Sequence, residues 1–373
     1  MEQRVRNARL VAVLAVLVAV VAYVPRLAMA KADHRHDADG YTEWTQTDAL
    51  PDKAGKYYLA GNVKLAQTWK VTAGDTELCL NGKTVTFAKG AKGSLVDVPD
   101  GARLTVTDCA DKVGALKGGT GTDGKGGVVI VEEGGTFDLE DATVSGGKIA
   151  AVKESKDDPA SKEISQGGGV YVDGTFAMKD SKIENNKAAV GAGVYVSDKG
   201  SMSVEGTAKV VDKNKDTAGK DSNVVLATGK TIKVADKIES KDAKKANFGV
   251  TLLDAEGNET AGVITSGYAE KMGEEDSSKY FSSNSTVFKV VSNTVKTEAR
   301  LAGVVTVAFN KNAEDATGEM ESISGEEGKA TTLPPNTFVR DGYTFREWNT
   351  QADGNGDAYT DQSEGFELFD TTL

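Results

Sequence analysis

The sequence predicts an all-β protein whose main body is a right-handed parallel β-helix over residues 55–250, and three observations carry that prediction. First, 42 glycines, six prolines, two histidines and few aromatics, set among many Thr, Val, Lys and Asp residues, favour short strands joined by turns. Second, no long amphipathic helix is visible: the apolar pattern has period two. Third, one template recurs, an apolar-x-apolar pair, a turn of three or five residues, and a second such pair.

The copies are Val96/Val98 with Leu104/Val106, Val129/Val131 with Phe137/Leu139, Val170/Val172 with Phe176/Met178, Val194/Val196 with Met202/Val204, and Val224/Leu226 with Ile232/Val234. A looser copy pairs Trp69/Val71 with Leu78/Leu80. Successive copies start 33, 41, 24 and 30 residues apart, so the strand pairs are constant while the connections vary. Helical repeats hold their length; stacked coils of strands, about 4.8 Å apart, let insertions leave from one side. An antiparallel sandwich is the competing fold, but near-identical units favour stacking of like on like.

The other elements follow in chain order. Residues 1–30 read as a signal peptide: Arg4, Arg6 and Arg9 precede an apolar run from Leu10 to Val24, and Ala28-Met29-Ala30 places cleavage after Ala30. Residues 31–54 are a polar segment leading into the solenoid and contain both histidines, His34 and His36. Residues 148–166 form a charged excursion within the longest repeat, and residues 251–302 are β-rich and suited to cap the open end of the coil. Cleavage leaves 40 basic against 55 acidic residues, a balance that repels phosphate backbones and predicts no nucleic-acid partner. Cys79 and Cys109 lie near strand ends in neighbouring units, and a disulfide or two buried thiols both fit.

Three segments imitate active motifs. GGTGTDGKGG at 118–127 resembles a phosphate loop, yet a strand follows it instead of a helix, so no cofactor is expected. Asp353, Asn355, Asp357, Asp361 and Glu364 fall at positions 1, 3, 5, 9 and 12 of a calcium loop. Ala358 stands where that loop needs glycine and no helices flank it, so the sequence predicts a polar turn and no metal. On the β-helix the outward positions are Asp97, Ile130, Tyr171, Tyr195 and Val225 on one sheet, and Thr105, Asp138, Ala177, Ser203 and Lys233 on the next. Neither row gathers the carboxylates that glycan cleavage needs, so no catalytic residue is expected. Tyr171 and Tyr195 are predicted to stack facing outward, as candidate ligand contacts.

Two resemblances add to these readings. GGGVYV at 167–172, TFAM at 175–178 and IENN at 183–186 resemble the repeats of adhesin-like surface proteins, with Ile183 where that family has an aromatic. YYLAGNVKLAQTW at 57–69, LCLNGKTV at 78–85 and LTVTDC at 104–109 are similar to the opening turns of large exported proteins of Gram-positive gut bacteria. Residues 303–373, with Gly342-Tyr-Thr-Phe-x-x-Trp348, resemble the Listeria–Bacteroides repeat, related to the B-repeat of internalins. This second resemblance implies a small β-grasp-like module, with Tyr343, Phe345 and Trp348 in or beside its core, of a kind that serves as a spacer in wall-attached proteins. Family members continue past the final Thr-Leu, so a truncated module and wall-anchoring elements beyond Leu373 are expected.

Together these features predict a secreted or wall-attached, non-enzymatic adhesin-like protein. Its β-helix displays a surface to a host or microbial glycan or protein ligand. A polysaccharide lyase or glycoside hydrolase on the same fold, and a purely structural wall spacer, are the alternatives.

Overall fold

A computed structural model describes His36 and residues 38–373, apart from 111, 151, 154–162, 212, 241–244, 292–297 and 370. The signal peptide, His34 and the tip of the 148–166 excursion lie outside the described residues. The chain divides into two units, one up to Tyr41 and one from Thr42 to Leu373. In the first, the Tyr41 N–H donates to the His36 carbonyl at 3.0 Å.

The second unit is built on a parallel β-helix with three strands per coil. Strands Val96–Val98, Val129–Val131, Val170–Val172, Val194–Val196 and Val224–Leu226 stack in parallel to make a first face, opened by Trp69–Lys70. Gly55–Leu59, Gly74–Cys79, Ala102–Thr107, Thr136–Glu140, Thr175–Lys179, Ser201–Gly206 and Ile232–Ile238 make the second. The register matches the sequence template: Val129 pairs with Val96 and Val170, and Phe137 with Leu104 and Phe176. The looser copy needs one correction. Leu78 pairs with Val106, so the inward pair is Thr76/Leu78, and buried Leu80 lies just beyond the strand.

A third face escapes the two-pair template. Val63–Leu65, Thr84–Phe87, Ala115–Lys117, Thr143–Ser145, Lys182–Glu184 and Lys209–Val210 run in parallel there, each with one or two inward residues such as Val144, Ile183 and Val210. Strand Phe248–Leu252 joins the third face to the first, pairing Phe248 with Val210 and Val250 with Val224. The inward rows form one continuous apolar core from Leu50 to Leu301. Phe176 stacks on Phe137 with ring centroids 5.3 Å apart.

Coil spacing dictates where glycine is needed. Gly135, Gly174 and Gly200 open the second-face strands, and a Cβ on Gly174 or Gly200 would lie 2.3 Å from the Gly135 carbonyl or 2.1 Å from that of Val172. At the corner between the third and first faces, Asn185 has φ +58° and Asn186 follows it. Asn186 is buried and starts an asparagine ladder. Its Oδ1 accepts from Gly147 N–H at 2.9 Å, and its Nδ2 donates to Asn214 Oδ1 at 3.0 Å. Asn214 Nδ2 donates to the Ile183 carbonyl and Asn223 Oδ1, and Asn223 Nδ2 donates to Asn284 Oδ1 at 3.1 Å. The ladder satisfies backbone groups that the corner would otherwise bury unpaired.

Both ends of the coil are covered. At the start, Thr42–Trp44 pairs with Gly55–Leu59, Leu50 enters the core, and the Trp69 indole N–H donates to the Pro51 carbonyl at 2.9 Å. At the other end, the short helix Tyr268–Met272 buries Tyr268 and Met272. Glu298 accepts from Thr265 Oγ1, Gly267 N–H and Tyr268 N–H at 2.8–3.0 Å.

Strand Arg300–Ala308 then leaves the cap and enters the C-terminal region unbroken. Its first half is antiparallel to Phe288–Val291 and its second half antiparallel to Ile323–Glu326, with Thr371–Thr372 parallel alongside. A second core of Val305, Val307, Leu333, Trp348, Phe366, Leu368 and Leu373 fills this region.

Candidate functional site

The outward row of the first face runs Asp97, Ile130, Tyr171, Tyr195, Val225, Thr251 in strict register. Tyr171 and Tyr195 stack as the register demands, with centroids 5.7 Å apart and ring planes within 16°. The expected exposure of Tyr171 is corrected: only 4% of it meets solvent. Lys125, from the glycine-rich loop of the preceding coil, places its ammonium 4.6 Å from the Tyr171 ring centroid. The Tyr171 hydroxyl donates to Asp173 Oδ1 at 3.0 Å, and Asp173 also lies 3.8 Å from Lys125. Backbone bridges from Lys125 to Gln166 and on to Val190 make a parallel strip on three successive coils. Burial, and then Asp173, push the Tyr171 phenol well above its usual pKa; Tyr195, half-buried, keeps an open edge.

The glycine-rich segment 118–127 therefore has a structural use. Gly126 has φ +51° and a Cβ there would strike Ile130, while Gly127 packs on the Gly168 carbonyl.

Carboxylates do gather beside this row, which the two outward rows alone concealed. Glu132 and Asp173 each follow an inward valine by one residue, and with Asp97 and Asp123 they bring negative charge to the same end of the face. Of these, Asp97 has its Oδ1 buried without a hydrogen-bond partner, and Lys70 stands 3.8 Å from its Oδ2. Burial raises its pKa above the ordinary 3.8, and Lys70 opposes the rise. A raised native pKa means a penalty at neutral pH that is relieved as pH falls through the native value. Asp97→Asn is accordingly expected to raise the melting temperature at pH 7, with the gain shrinking toward pH 4. An equal gain at both pH values in calorimetry would assign the effect to packing instead.

On the second face, Asp138 is buried and takes the Arg103 guanidinium at 2.8 Å. A shallow groove of about 270 Å³ beside it is lined by Lys56, Asp75, Glu77 and Arg103, whose opposite charges neutralise one another.

The calcium-loop lookalike does not converge. Asp353 accepts from Asn355 N–H at 3.0 Å within its own turn, whereas Asp361 accepts from Asn336 N–H at 2.7 Å. The segment connects the antiparallel pair Trp348–Asn349 and Ala358–Tyr359. Of the three aromatics implied in or beside the core, Trp348 is 2% exposed and packs on Phe309 and Phe345, while Phe345 is 41% and Tyr343 65% exposed, the latter under Arg340.

Cys79 and Cys109 meet where adjacent second-face strands end, with Sγ atoms 3.4 Å apart as two thiols. Burial, and then Cys109, push the Cys79 thiol up to about 12.

No curated protein and no solved structure matches the chain. Residues 306–373 match the Listeria-Bacteroides repeat domain, which is typical of extracellular or surface proteins and points to a surface-associated repeat protein.

Proposed function

We propose that the protein is an exported, non-catalytic cell-surface protein of adhesin type, in which the β-helix displays a binding surface and the C-terminal repeat is a wall-proximal spacer. The observation that supports it most is the continuous strand Arg300–Ala308, which joins a fully cored, capped β-helix to the surface-type repeat. The ligand edge is the half-open Tyr195, stacked on Tyr171 with Asp173 and Asp198 nearby, groups suited to sugar hydroxyls or a polar protein face. The test is a binding screen of the full chain on glycan and host-protein arrays, with Tyr195→Ala expected to weaken capture and Tyr171→Ala to act through packing. Reproducible formation of reducing ends or unsaturated products from pectins or mucin glycans would overturn the reading in favour of an enzyme.

Export has a chemical corollary at the cysteine pair. Exposure to oxidised glutathione is expected to join Cys79 and Cys109. The two thiols lose two protons and two electrons while one glutathione disulfide becomes two thiols. The bond would tie two coils across a sequence separation of 30 residues and stabilise by about 3–4 kcal/mol. Unchanged mass and unchanged melting temperature after treatment would count against the bridge.

A further inference from the structure

On the second face, charged side chains that neighbour one another on adjacent coils alternate in sign. Lys56 stands 3.0 Å from Glu77, Arg103 2.8 Å from Asp138, and Lys179 3.3 Å from Glu205. At the corner between the third and first faces this pattern is inverted. Parallel bridges place Lys148, Lys187 and Lys215 in register on three successive coils, and Lys182 pairs in register with Lys209 on the third face alongside. Lys215 is paired with Asp221 at 2.7 Å and Lys182 with Glu184; Lys148, Lys187 and Lys209 have no ion pair among the described residues.

Stretches 114–119, 142–149, 181–189 and 208–216, which build this corner, hold seven lysines against three acidic residues in a chain whose net charge is −12. Like charges directly opposite one another on paired strands are destabilising. Stacked coils repeat about every 4.8 Å, so the repulsion is locked in by the register.

We propose that this corner is a docking ridge for a linear anionic polysaccharide, one bearing about a carboxylate or sulfate per sugar, laid along the coil axis. Charge complementarity selects the partner: ammonium groups one coil apart match anionic groups about one sugar ring apart. Lysine's flexible stem tolerates an irregular polymer. Nucleic acid carries a denser charge, and the acidic remainder of the chain repels it. The ridge names a ligand class for the display reading and rests on it. The two fail separately, because that reading falls to product formation and the ridge falls to a loss of site-specific binding.

The test uses the full chain over immobilised heparin and polygalacturonate. Wild type is expected to bind at least one of them with strong salt dependence. Lys148→Gln/Lys187→Gln/Lys209→Gln should weaken that binding at least about tenfold, while Lys64→Gln/Lys233→Gln/Lys237→Gln should leave it unchanged. The ridge variant should also melt at the same temperature as wild type or higher, because it removes repulsion. Retained binding by the ridge variant, binding of neither polymer by wild type, a lowered melting temperature of the ridge variant, or equally tight binding of duplex DNA would each overturn the proposal.

Discussion

Asn214→Ala is expected to destabilise the β-helix by about 3–5 kcal/mol, out of proportion to the few atoms removed. The side chain is fully buried, its Oδ1 accepts from the Asn186 N–H and Nδ2, and its own Nδ2 faces the Ile183 and Val211 carbonyls and Asn223 Oδ1. Alanine leaves donors and acceptors on three coils without partners and with no room to reach solvent. Because a solenoid is held by nearest-neighbour interfaces, the loss should appear locally first. Hydrogen exchange should show protection falling across residues 182–226 while residues 303–373 keep theirs. A loss under about 1 kcal/mol in denaturant titration would mean that the ladder is dispensable.

Phe176→Ala is expected to cost about 3–5 kcal/mol through a cavity between coils. The ring is fully buried, lies within 8° of the plane of Phe137, and has Met202 as its in-register neighbour on the other side. Methionine is flexible enough to lean into the space, which favours the lower end of the range. Phe176→Leu keeps most of the volume and should cost about 1–2 kcal/mol. Equal losses for the two variants in chemical denaturation would show that ring stacking, and not volume, holds the row.

How much of this was legible from the sequence depended on whether the information was local. The strand pairs and their register were legible because period-two alternation repeats within each unit, and the paired positions from Val170 to Met178 match those from Val194 to Val204 despite turns of three and five residues. The third face was not, since Lys182–Glu184 and Lys209–Val210 are too short to alternate. Nothing local sets Asn186 apart from its neighbour Asn185, whose φ is positive; its burial depends on Asn214, a coil away. Tyr171 was correctly stacked on Tyr195, but its roof is Lys125, delivered by a loop whose register no spacing rule supplies. The lysine corner was hidden for the same reason, because Lys148, Lys187 and Lys215 lie in connections of unequal length.

The strand shared by the cap and the C-terminal region also sets the response to mechanical load. Val307 and Ala308 pair in parallel with Thr371 and Thr372, and the Leu373 N–H donates to the Ala308 carbonyl at 2.8 Å. Tension between the β-helix and Leu373 therefore pulls two parallel neighbours from opposite ends and loads their hydrogen bonds lengthwise, all at once. Such a joint yields by shearing, not by unzipping one bond at a time, at the point where the two cores of this unit meet.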